Sequence, residues 1–255
     1  MFFYFPILAL VPVLVYLAAA LLPAFILLRY VYKQDTVEKE PTGLLVSLLF
    51  MGCLSALCAG TVEGVAEYLL QIVVDPTSPI YVVLLAFLVV AVAEEGCKLF
   101  FLKRRTWKHP AFNFRFDGVV YAVFVSLGFA ALENVQYVAM YGLSVALPRA
   151  LLAIPGHLSF SIFMGVHYGR ARLLENLGDH EGAKRSIRKG FRVAVFLHGF
   201  YDACAMLGTV WSLGLFLIFV LIMFARAYRT LKRESAEDMP IVPLYDEPRD
   251  PFDLI

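Results

Sequence analysis

The sequence predicts an all-α fold, a polytopic transmembrane helical bundle of about seven spans. Three observations carry this. The chain of 255 residues is 60% hydrophobic with a mean hydropathy of +0.74, against roughly 45–50% apolar content in soluble domains. The apolar residues are gathered into stretches close to the roughly 20 residues that a spanning helix needs. The segments between them alternate between rich and poor in Lys and Arg, as loops on opposite sides of a membrane do.

The first stretch covers about 4–28. It lacks a basic region before its apolar run and is too long for the core of a signal peptide, so a retained helix is expected. Further spans follow at about 43–63, 79–102, 118–141, 146–169, 190–207 and 209–230. The sixth is short, and only the Leu207-Gly208-Thr209 region separates it from the seventh, which predicts a tight hairpin. The first connection carries Arg29, Lys33 and Lys39, and the third carries Lys103, Arg104, Arg105, Lys108 and Arg115. The fifth is the most basic, from Arg170 to Arg192, and Arg226, Arg229, Lys232 and Arg233 follow the last span. The second and sixth have no cation and the fourth has only Arg149. The positive-inside rule then places the N-terminus outside and the C-terminus inside, which requires an odd number of spans.

Residues 1–231 are expected to form the membrane domain of a multi-pass cell-membrane protein. The acidic, Pro-rich stretch 232–255 is expected as a disordered cytoplasmic tail. The absence of an internal repeat disfavours an inverted-repeat transporter. A net charge of +1 gives no basic field for nucleic acid, and Cys53, Cys58, Cys97 and Cys204 form no CxxC and lie in apolar runs. They read as small hydrophobes.

Charged residues inside spans are costly, roughly 2.5–3.5 kcal/mol each at the helix centre on the insertion scale. Several occur here, so they must share a protein-lined cavity. The third span holds Glu94, Glu95 and Lys98. Glu94 and Lys98 are four apart and share a helix face, whereas Glu95 points about 100° away. A helix end with snorkelling charges would explain Lys98, but Glu94 is too deep for that. Glu133 lies deep in the fourth span, where a protonated interhelical hydrogen bond is the bland alternative, less favoured than function given the ionisable groups on the other spans. His157 falls near the middle of the fifth, where a neutral ring bonded to a carbonyl freed by Pro155 would serve equally well. His198 and Asp202 in the sixth share a face at i and i+4, a pair hard to explain structurally in an apolar helix. Glu63 and Glu67 are assigned to the outer interface, His109 and His180 to polar loops, and His167 to a structural or interfacial role.

Together these residues resemble the PrsW family of intramembrane proteases, related to the CAAX-protease and bacteriocin-processing group. The motifs are EExxK at Glu94-Glu95-Gly96-Cys97-Lys98, FxxxE from Phe129 to Glu133, a lone histidine at His157, and HxxxD from His198 to Asp202. Asp117-Gly118 and Gly128–Asn134 are also similar. The resemblance covers about 79–207, on four consecutive spans, and implies hydrolysis of a peptide bond in a membrane-anchored substrate such as an anti-sigma factor.

Two mechanisms stay open. In one, Glu94 activates water directly, Glu95 adjusts charge or geometry, and His198, oriented by Asp202, holds the water or stabilises the oxyanion. In the other, zinc is held by His157, His198 and a carboxylate, Glu133 or Asp202. There is no HExxH, and no GxSxG around a membrane serine. A proton- or cation-coupled carrier, or a non-catalytic immunity or binding protein on the same scaffold, would also bury such groups. Glu94 and His198 each lie roughly 12–13 Å from the basic ends of their helices at 1.5 Å per residue, which predicts a cavity opening inward.

Overall fold

A computed structural model describes residues 4–241. Among these residues seven helical rods follow one another: α1 (Tyr4–Gln34), α2 (Thr42–Val73), α3 (Pro79–Thr106), α4 (Asp117–Tyr141), α5 (Leu143–Asn176), α6 (His180–Leu207) and α7 (Val210–Ala236). No strand occurs among the described residues beyond one bridge between Phe114 and Pro240. The protein is an all-α, multi-pass membrane protein. Six rods, all but α6, are long and apolar enough to cross a bilayer. The expected sixth span is the second half of α6, whose first half is basic and whose apolar part is interrupted by His198 and Asp202. This helix packs against α3, α5 and α7, so neighbouring helices shield the polar residues that lower its hydropathy.

Helix α4 is the centre. It is buried without a break from Asp117 to Ala130, as expected of a helix that is apolar all round. It packs on α1, α2, α3 and α5. Glycines permit the closest crossings. A Cβ on Gly165 of α5 would stand 2.6 Å from the Cα of Val119, and one on Gly128 of α4 would stand 2.4 Å from the Leu49 carbonyl oxygen of α2. Association of helices in lipid depends on such backbone proximity, because the bilayer is as apolar as the side chains.

Two rods contain a turn of π-helix, Leu85–Val90 in α3 and Arg149–Ala153 in α5. Pro155 accounts for the second: it cannot donate to the preceding turn, and its ring needs room there. The first has no proline, but Phe87 lies against α6 where a Cβ on Gly199 would stand 2.6 Å from the Phe87 ring. Each wide turn precedes a site residue on its own helix. The α6–α7 hairpin forms as expected: Gly208 is left-handed, with φ of +61°, and Thr209 and Ser212 cap α7 reciprocally at 3.0 Å.

The end of the bundle that carries the basic loops is closed. Phe112 stacks on Tyr168 at 5.2 Å and meets Tyr121 edge-on at 5.4 Å, and Trp107 lies 5.3 Å from Tyr168. The Thr106 and Tyr168 hydroxyls are hydrogen-bonded at 2.8 Å. Helix α7 continues past the expected boundary at 231, and the segment after it is tied to the loop before α4. Ile241 N–H donates to the Asn113 carbonyl at 2.7 Å and Phe116 N–H to Asp238 at 2.8 Å. The rest of the expected tail, 242–255, lies outside the described residues.

Gly165→Leu should disrupt the α4–α5 crossing, because backbone blocks the new side chain. A loss of about 1–3 kcal/mol is expected for such overpacking, measured as a lower thermal midpoint in detergent than the wild type, whereas Gly64→Leu, with open space at its Cβ, should leave the midpoint unchanged.

Candidate active site

The side chain at the centre of the site is Lys98. Its ammonium donates to Glu94 Oε2 and to Glu95 Oε1, both at 2.9 Å, and to His157 Nδ1 at 3.1 Å. It also lies 3.9 Å from the centroid of the Phe129 ring. The lysine is 2% exposed, and these contacts replace its hydration. The pairing of Glu94 with Lys98 follows the i,i+4 expectation. Glu95 reaches the same ammonium because i,i+3 positions are neighbours too.

Since Lys98 donates to Nδ1 of His157, that nitrogen is an acceptor and the ring proton resides on Nε2. This Nε2–H donates to Glu133 Oε2 at 3.0 Å, which is also ion-paired with Arg149 Nη2 at 2.9 Å. Arg149 Nε donates to Asn134 at 2.8 Å, and Asn134 donates to the Ala20 carbonyl at 2.7 Å. A continuous polar chain therefore runs from α3 through α5 and α4 to α1. The Ser126 hydroxyl donates to the His157 carbonyl at 3.0 Å.

His198 is held between two carboxylates. Nδ1 is 2.9 Å from Glu95 Oε1, and Nε2 is 3.2 Å from Asp202 Oδ2 and 3.9 Å from Glu94 Oε2. Phe160 stacks on its ring at 4.7 Å. Both nitrogens can donate at once only when both carry protons. Glu95 has no exposed surface, so it connects Lys98 to His198 from behind, whereas Glu94 and His198 face a cavity.

That cavity has a volume of about 580 Å³. Its wall includes Glu94, Glu133, His157, His198 and Asp202. All five residues anticipated there on four different helices therefore meet around one space, with Glu95 just behind. Two further ionisable residues line it. Arg149, counted in the sequence as a loop cation, sits in the π-turn of α5. Glu63, assigned to the outer interface, faces the cavity because α2 runs on to Val73, and its Oε1 is buried with no hydrogen-bond partner. A signal for Arg149 was its place inside an apolar stretch, and for Glu63 the small residues Ala56 and Gly60 on the same face.

The cavity does not open toward the basic loops. Its lining rises from Glu94, His157 and His198 through Gln136, Pro148, Met206 and Phe216, which lie toward the opposite end of the bundle. The opening toward the basic ends of the helices, expected from helical rise, is therefore corrected. Distance along a helix located the carboxylates, but the aromatic packing around Tyr168 blocks the shorter route.

The description "PrsW family intramembrane metalloprotease" belongs to a family pattern that this chain matches over residues 40–227. The chain belongs to the PrsW family. The match reaches beyond the motif-bearing part, 79–207, on both sides. A protein named Protease PrsW from Geobacillus kaustophilus is 32% identical over 206 residues, covering 79% of this chain and 85% of the relative. One of the same name from Halalkalibacterium halodurans is 30% identical over 224 residues, covering 87% and 98%. No solved structure matches. As a PrsW protein the chain is an intramembrane protease.

The PrsW family description names a metal, and the donors can be tested for one. Glu94, Glu95 and His157 each bring a ligand atom within 4.8 Å of the others, and carboxylate with imidazole suits zinc chemically. The Lys98 ammonium, however, is within 3.1 Å of all three. A cation already stands where the ion would, so the residues as arranged do not fit a metal. Of the ligands expected from sequence, only His157 belongs to this trio. Glu133 is bound by Arg149 and His157, and Asp202 by His198.

Lys98→Met should leave Glu94 and Glu95 buried without their counter-ion. Breaking a buried pair costs about 3–5 kcal/mol, expected as a large fall in thermal midpoint. Glu95→Gln in the same chain should restore part of it, and a double-mutant cycle by thermal unfolding measures the coupling.

Proposed function

We propose that this protease cuts a membrane-anchored protein with a water activated by Glu94, without a step through a metal. The observation that carries this is the disposition of Glu94 and His198 across 3.9 Å at the cavity floor, with Lys98 at the only point where three ligand atoms converge among the described residues. A water oxygen hydrogen-bonded to both would be held against Glu94 Oε2. Glu94 takes a proton as the water oxygen attacks the scissile carbonyl. The His198 N–H stabilises the developing oxyanion, and the proton passes from Glu94 to the leaving amine as the C–N bond breaks. Glu95 is a positioning residue, holding Lys98 and His198 Nδ1. Asp202 holds the His198 Nε2–H at 3.2 Å until the developing oxyanion takes it over, and Glu133 with Arg149 fixes the His157 ring.

The basic loops at the closed end support an N-terminus outside and a C-terminus inside. In that orientation the cavity faces outward, which suits a cut near the outer surface. An anti-sigma factor is the substrate class that the family resemblance suggests.

With a co-expressed single-span substrate, Glu94→Gln should lower cleavage by about 10²–10⁴-fold and His198→Ala by about 10²–10³-fold, at unchanged protein level. Undiminished cleavage by either would remove that residue from its role. Purified enzyme should keep its activity after chelation; activity that disappears and returns with stoichiometric zinc would overturn the metal-free reading.

A further inference from the structure

Helix α6 presents a second feature, on the turns that precede His198. Arg185, Arg188, Lys189 and Arg192 follow the i, i+3, i+4, i+7 pattern and therefore share one face. All four are exposed. Among the described residues Arg188, Lys189 and Arg192 have no ion pair, and Arg185 reaches only Asp179, at 4.0 Å. Four cations over little more than two turns repel one another, so this arrangement favours an anionic ligand.

The same face becomes apolar within one turn. Phe196 follows Arg192 by four residues and is 57% exposed, and Leu197 follows beside it. At 1.5 Å per residue the change from guanidinium to ring takes roughly 6 Å. Cations and apolar side chains together line one groove of about 520 Å³. A ligand that fills it must carry negative charge and hydrocarbon a few ångströms apart. A soluble acidic peptide meets the first condition only. A glycerophospholipid meets both, with its phosphate among the cations and the start of its acyl chains on Phe196 and Leu197.

We propose that this groove on α6 binds an anionic glycerophospholipid. Basic pockets beside membrane helices bind such headgroups, each cation near an anionic headgroup layer contributing about fivefold in affinity. Leu197 directly precedes His198, so the lipid would brace the helix that carries part of the site.

Native mass spectrometry of the full chain, delipidated and given equal phosphatidylglycerol and phosphatidylcholine, tests this. The wild type should retain phosphatidylglycerol at least about fivefold over phosphatidylcholine, and the preference should fall in high salt. R188Q/K189Q/R192Q should bring the two lipids near parity. The charge-preserving R188K/R192K should keep the preference, as should K103Q/R104Q/K108Q on another basic surface. Parity in the wild type overturns the proposal. So does a preference that survives in the triple variant or high salt, or an equal loss in the control. Saturable binding of a soluble glutamate-rich peptide with lipid parity would assign the patch to a protein partner and overturn it as well.

Discussion

The Lys98 ammonium is the contact on which the interior depends. Three hydrogen bonds and an aromatic face hold it, and its partners come from α3, α4 and α5. Through Glu95 it reaches α6 as well. A bilayer supplies no driving force for these helices to associate by hydrophobicity alone. A buried charge with several required partners does supply one, because each partner left unmatched would be an uncompensated ion in a medium of low dielectric. Stability and the proposed catalysis thus share the same atoms. The network also places a cation at the point where Glu94, Glu95 and His157 converge.

Much of this was legible in the sequence because spacing along a helix is a geometric fact. Glu94 with Lys98, and His198 with Asp202, had to share faces, and they do. The hairpin at Gly208 was equally plain. What spacing could not supply was the relation between helices. Arg149 looked like a loop charge because a count of cations between apolar stretches carries no information on which way a side chain turns. It instead clamps Glu133 on the preceding helix, and through Glu133 it fixes His157 on its own. Glu63 was misplaced because a span of the minimum length was assumed, whereas α2 has 32 residues. The direction of the cavity failed for a related reason. Helical rise gives depth, but access depends on which end is packed, and the residues that close the basic end, Trp107, Phe112 and Tyr168, come from the loop after α3 and from α5, far apart in sequence.

The π-turns belong to the same logic. Each adds width to a helix just before residues that must face inward, Glu94 and Glu95 after one and His157 after the other. An unbroken α-helix would rotate those side chains relative to the rest of their rod. The rod's remaining face is committed to lipid or to α4, so local widening lets one helix satisfy both demands.

The closed aromatic end has a consequence for the cell. A polar cavity that reaches into a bilayer is half of a channel. With Trp107, Phe112, Tyr121 and Tyr168 stacked beneath it, the space is a well with a floor. Water needed for hydrolysis can be admitted from one side while the membrane keeps its electrical resistance, so the enzyme can work continuously without short-circuiting the ion gradient across the membrane in which it is embedded.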